Sequence, residues 1–144
     1  MYASALVHGV GKDLEIEYHL RRAIDLNAGD AWARVYLAYY LCRRGETVLA
    51  IDELKIAIAA APETGFPHWS LASVYERQGD LAQARVCYEQ ALEIEPDDIV
   101  ANTKFGRMLK KIGDKELARK YLRHGLFLDP NDQETRKLLE QMSE

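Results

Sequence analysis

The sequence predicts an all-α solenoid of antiparallel helix pairs, closed at its C-terminal end by a capping helix. Three observations carry this. Gly11, Gly45, Gly79 and Gly113 stand 34 residues apart, and Pro62, Pro96 and Pro130 keep the same interval. Small residues follow the same beat at Ala50, Ala84 and Ala118, and again at Ala57, Ala91 and Gly125. Between these markers the apolar residues recur with helical spacing, and no strand is visible. The period matches a two-helix unit that buries its sides against copies of itself.

The register divides one domain, 1–144, into an incomplete repeat at 1–30, full repeats at 31–64, 65–98 and 99–132, and a capping helix at 133–144. Each repeat reads as two helices joined at its glycine, which ends a helix cheaply because it accepts left-handed backbone angles. In the incomplete repeat that glycine is Gly11, followed by Lys12; the later ones are followed by Glu46, Asp80 and Asp114. An acid there favours the next helix through capping and the helix dipole.

The first helices of the full repeats carry an apolar residue, a small residue and a second bulky one at i, i+1 and i+4: Leu37, Ala38, Leu41; Leu71, Ala72, Tyr75; Phe105, Gly106, Leu109. That spacing makes one buried stripe, and the small slot lets two backbones approach. In the second helices Ala50, Ala84 and Ala118 are followed by bulky Leu54, Tyr88 and Leu122. The prolines then stop these helices, because proline has no backbone N–H to donate. Asp30, Asp98 and Asn131 or Asp132 offer caps for the next helix in each case. In 133–144, Leu138, Leu139 and Met142 make one narrow apolar stripe on an otherwise polar segment, as an end helix requires.

These slots resemble the tetratricopeptide repeat, with small residues at the eighth, twentieth and twenty-seventh positions and proline at the thirty-second throughout 31–132. The slice Trp69-Ser70-Leu71-Ala72-Ser73-Val74-Tyr75-Glu76-Arg77-Gln78-Gly79-Asp80 is close to the family consensus. The first repeat departs from it, with Ile16 and Ala28 in the alanine and proline slots and its opening turn missing. That gap points to a fragment of a longer array.

The resemblance implies a right-handed superhelix whose first helices line a concave, peptide-binding groove. The residues expected in that groove are Trp32, Tyr36, Tyr39 and Arg43, then Phe66, Trp69, Ser73 and Arg77, then Lys104, Arg107 and Lys111. Val35, Cys42, Ser70, Glu76, Val100, Thr103 and Lys110 fall in the same slots, and Tyr2, Ala5 and His8 continue them upstream. An aromatic band followed by a basic end suits a peptide with apolar anchors and acidic residues. The two-carboxylate clamp with which some relatives hold chaperone tails is not expected. Its slots read Val35, Tyr39, Ser70, Val100 and Lys104, of which only Lys104 fits.

Composition sets the remaining bounds. The net charge is −4, split as −7 over 1–98 and +3 over 99–144. A sequence pI near 5.6 disfavours a dedicated nucleic-acid binder, although aromatics and basic residues keep single-stranded RNA as a minor alternative. Cys42 and Cys87 make no disulfide framework or metal cluster. Four dispersed histidines make no i, i+4 pair, and no nucleophile–base set or phosphate loop stands out. No cofactor, metal or catalysis is expected.

The functional expectation is a cytoplasmic, non-catalytic scaffold or adaptor that binds an acidic or amphipathic protein segment. The alternative is a substrate-positioning or assembly arm of a larger enzyme or of a secretion or biogenesis complex. An uncapped N-terminal face with Leu6, Val7 and Val10 would also offer a surface for self-association.

Overall fold

A computed structural model describes the backbone of residues 2–143 and the side chains of 11–143. Tyr2, Ala5, Leu6, Val7, His8 and Val10, on which the upstream surface and the self-association expectation rest, therefore lie outside the described side chains. The described residues form helices and their connections, with no strand. The chain divides into two compact units, 1–62 and 63–144.

The first unit holds α1 (Tyr2–Leu26), α2 (Ala31–Arg43) and α3 (Thr47–Ala60), with α2 packed against both neighbours. Here the structure corrects one expectation. Gly11 does not separate two helices: α1 runs through it unbroken. Gly45, Gly79 and Gly113 adopt φ of +80°, +83° and +91°, but Gly11 does not adopt a positive φ. A helix tolerates an isolated glycine at a cost of about 1 kcal/mol, so glycine alone does not break it. After Gly79 and Gly113, Asp80 and Asp114 accept from the backbone N–H of Gln83 and Leu117 and start a new helix. Lys12 has no acceptor with which to do so.

The second unit holds α4 (Gly65–Gln78), α5 (Leu81–Ile94), α6 (Ile99–Lys111), α7 (Lys115–Leu128) and α8 (Gln133–Met142). Hairpins α4–α5 and α6–α7 pack most extensively, α6 also rests on α4 and α5, and α8 covers α7. Helices α3, α5 and α7 each end two residues before a proline. Asp30, Asp98 and Asp132 cap α2, α6 and α8 by accepting from the N–H of Ala33, Ala101 and Thr135. Thr64 makes no such bond; Glu95, at the C-terminal end of α5 in the same hairpin, accepts from Gly65 N at 2.9 Å instead.

The repeat-slot residues form the core. Leu37, Ala38, Leu54 and Ala57 are buried in the first unit, and Ala72, Tyr88, Ala91, Phe105, Leu122 and Ala118 in the second. Two small slots are sterically enforced. A Cβ on Gly106 would lie 2.6 Å from Leu122 Cγ, and one on Gly125 would lie 2.7 Å from Thr103 Cγ2. Tyr88 stacks on Phe105 with ring centres 5.4 Å apart, and Phe105 meets Tyr121 at 4.8 Å. This aromatic ladder joins the two hairpins. Among the described residues, no helix is long and apolar enough to cross a membrane.

Candidate functional site

In the first unit, Trp32, Tyr36, Tyr39 and Arg43 follow one another along one stripe of α2 at i, i+4, i+7 and i+11. The three aromatics are 56%, 48% and 54% exposed, so much of each ring faces water. Arg43 places its guanidinium 5.8 Å from the centre of the Tyr39 ring and pairs with Asp13 of α1 at 3.3 Å. Tyr40 meets Tyr39 edge-on at 5.3 Å. Val35 belongs elsewhere: it is buried in the core, which removes it from the expected lining.

In the second unit, α4 carries Phe66, Trp69, Ser73 and Arg77 on one stripe, and α6 carries Lys104, Arg107 and Lys111 on another. The packing of α6 on α4 brings several of these together. Phe66 and Trp69 meet edge-to-face at 4.9 Å. Lys104 Nζ lies 5.7 Å from the centre of the Trp69 ring, within reach of a cation–π attraction. Burial holds the Lys104 ammonium below its usual pKa; Glu76 opposes that shift, and Arg107 and Arg77 add to it. Lys111 lies two turns beyond Lys104, exposed at the end of α6.

Two connections fix this face from behind. Ser73 Oγ lies 3.3 Å from the Tyr88 hydroxyl, which donates to Glu76 Oε1 at 3.1 Å. Burial raises the pKa of the Tyr88 phenol well above its usual value, with Glu76 adding to the shift, so it stays a donor. Arg107 pairs with Glu134 of α8 at 3.3 Å, while Lys110 donates to Gln141 at 3.1 Å. The Trp69 indole N–H and Arg107 Nε are buried without a hydrogen-bond acceptor among the described residues. Thr103 is buried, its hydroxyl donating to Ile99 O at 2.9 Å, so it too leaves the expected lining. The repeat slots assigned Tyr88 to packing alone; its hydroxyl tether to Glu76 had no signal in the spacing.

The electrostatic balance is lopsided. Three cations, Arg77, Lys104 and Arg107, act on one region against two carboxylates, Glu76, engaged by Tyr88, and Glu134, which pairs with Arg107. Such a face attracts anions, and the adjoining Phe66–Trp69 pair offers apolar area. Nothing in it resembles an acid–base pair in a closed cleft. Among the described residues, no group of three His, Cys, Asp or Glu side chains is placed to hold a metal ion.

Family models described as tetratricopeptide repeat match residues 66–98 and 100–132. The chain is a tetratricopeptide-repeat protein. Protein CTR9 homolog of Arabidopsis thaliana is 31% identical over 67 residues, or 46% of this chain and 6% of that protein. The tetratricopeptide-repeat chain thus spans a small part of that curated relative's length.

Solved structures show the same all-α repeat fold. The crystal structure of MamA aligns with a TM-score of 0.71 at 24% identity, covering 88% of this chain and 74% of MamA. The first TPR of Spaghetti (RPAP3), bound to HSP90 peptide SRMEEVD, aligns at 0.73 and 23% identity, covering 78% and 90%. YrrB, described as a TPR protein with an unusual peptide-binding site, aligns at 0.72 and 24%, covering 81% and 60%.

Proposed function

We propose that this tetratricopeptide-repeat chain is a non-catalytic protein-interaction scaffold, and that the α4–α6 face of its second unit holds an acidic or amphipathic segment of a partner protein. The observation that carries the reading is the half-buried ammonium of Lys104 over the Trp69 ring, flanked by Arg77 and Arg107. A partner carboxylate beside Lys104 would restore to that ammonium the solvation it loses by burial. An apolar side chain would take the exposed part of the Phe66–Trp69 pair. Ser73, fixed by Tyr88, supplies a hydroxyl between the apolar and basic ends. Lys111 extends the positive charge beyond them and speeds encounter.

The exposed stripe Trp32, Tyr36, Tyr39 and Arg43 gives the first unit a contact surface of its own, rich in the residue types that dominate binding hot spots. A homologous fold bound to an HSP90 peptide supports a peptide as the ligand class. Val35, Tyr39, Ser70 and Val100 at the clamp slots argue for a different peptide.

Affinity capture followed by mass spectrometry tests the reading, with Trp69→Ala combined with Lys104→Glu as the control. Partners captured by the native chain should be lost from the double variant at unchanged helicity. Identical capture by both proteins would remove the α4–α6 face as the binding surface.

A further inference from the structure

The second unit carries a cleft that the α4–α6 face does not share. It opens between α5 and α7, with α6 beneath it packed against both, and has a volume of about 630 Å³. That is within the range of roughly 300–1,000 Å³ typical of ligand pockets.

One wall is a single stripe of α5: Val86, Glu89, Gln90 and Glu93, at i, i+3, i+4 and i+7. The facing wall is Lys120, Tyr121 and His124 of α7. Leu92 and Asn102 are buried at its base, and Asn102 is locked there by donating to Pro96 O at 2.9 Å and Asp98 O at 2.8 Å. The base is therefore set by the core of the unit.

Of the four acidic or basic side chains lining the cleft, Glu89 and His124 are already paired. Glu89 accepts from Arg85 at 2.9 Å, and His124 lies 2.8 Å from Asp97. The other two are Glu93 on one wall and Lys120 on the facing one. Among the described residues neither has an ion-pair partner, and Lys120 rests over the Tyr121 ring at 5.5 Å. Val86, 48% exposed, and Tyr121 supply apolar area between them. The cleft thus presents an apolar middle, an unpaired anion on the α5 side and an unpaired cation on the α7 side.

Its walls also select the conformation of an occupant. Both are the middles of helices, whose backbone groups are paired within the helix. An extended peptide would find no main-chain partners there, whereas a helix satisfies its own backbone and packs by its side chains.

We propose that the α5–α7 cleft is a second docking site, occupied by an amphipathic helix of a partner protein whose apolar stripe runs between a basic flank facing Glu93 and an acidic flank facing Lys120.

A displayed library of helical peptides tests this, with an apolar stripe fixed and both flanks free to be Lys, Glu or Gln. On the native chain one charge order should be enriched. Peptides of that order should bind roughly tenfold or more weakly to Glu93→Lys or to Lys120→Glu. The double variant Glu93→Lys with Lys120→Glu should enrich the opposite order. Both positions are exposed, and unchanged thermal unfolding of each variant would show that folding is intact. Lys104→Glu, which alters the α4–α6 face, should leave the selection as it is. Enrichment of no charge order, the same order on native and double-swapped chains, or a selection abolished by Lys104→Glu would each overturn the proposal.

Discussion

The ammonium of Lys104 and the indole of Trp69 face each other across two helices, Nζ to ring centre 5.7 Å, one repeat apart in the chain. The contact places a cation against an aromatic face in a partly dehydrated setting, where its charge is costly without an anion. Its pKa is lowered, so the folded chain prefers it neutral more than the unfolded chain does. The resulting penalty is present at neutral pH and disappears as pH rises through 10.5, the ordinary lysine value. Lys104→Met should therefore raise the urea midpoint at pH about 7 by less than about 1 kcal/mol of stability, given solvent screening. The same variant should lose acidic partners. Destabilisation at neutral pH would contradict this.

The glycines divide by what surrounds them. Gly106→Ala drives a Cβ against Leu122, whose backbone N would lie 3.2 Å away, and should cost roughly 1–3 kcal/mol. Gly11→Ala meets nothing within 4 Å and sits within a continuous helix, so it should stabilise by up to about 1 kcal/mol. Gly79→Ala, at φ +83°, should destabilise by about 1–2 kcal/mol despite open space around it. Denaturant midpoints of the three variants check all three signs.

His68 is buried on α4 with Nδ1 lacking a hydrogen-bond partner among the described residues. Burial lowers its pKa below 6.5, only partly opposed by a hydrogen bond with Gln90. Because the folded pKa is depressed, the stability it confers is present above 6.5 and is lost as pH falls through the folded value. The unfolding midpoint should fall between pH about 7 and about 5, and His68→Phe should flatten that slope. An unchanged slope would show that the acid sensitivity lies elsewhere.

Asp132 anchors the start of α8. Its carboxylate accepts from Thr135 N at 3.1 Å and from the Thr135 hydroxyl at 2.6 Å, and these bonds hold its pKa below the ordinary carboxylate value. The associated stability is present above 3.8 and lost as pH falls through the lowered value. At neutral pH, Asp132→Ala should cost about 1 kcal/mol. Amide hydrogen exchange should then rise first in α8, whose Glu134 holds Arg107.

Much of this architecture was legible because each repeat-slot residue has a local reason to be where it is. Proline, a left-handed glycine and a capping aspartate act within one helix turn, so spacing alone reveals them. Gly11 misled because glycine permits a left-handed turn without requiring one: Gly45 turns although Glu46 makes no side-chain cap, whereas Gly11 stays helical. Val35 and Thr103 share a slot with Trp69, yet they are buried while Trp69 is partly exposed. Slot position gives a direction around the helix, whereas burial also depends on which neighbour closes over it. The Tyr88–Glu76 tether and the Glu93–Lys120 opposition join residues from different helices. No periodicity encodes such pairings.

The most direct test of the central claim is an NMR titration of the 15N-labelled chain with an acidic peptide recovered by affinity capture. Chemical-shift changes are expected at Trp69 and its indole N–H, Ser73, Lys104 and Arg107, with the affinity reduced roughly tenfold or more by Lys104→Glu. Shift changes that avoid α4 and α6, or an affinity indifferent to Lys104→Glu, would contradict it.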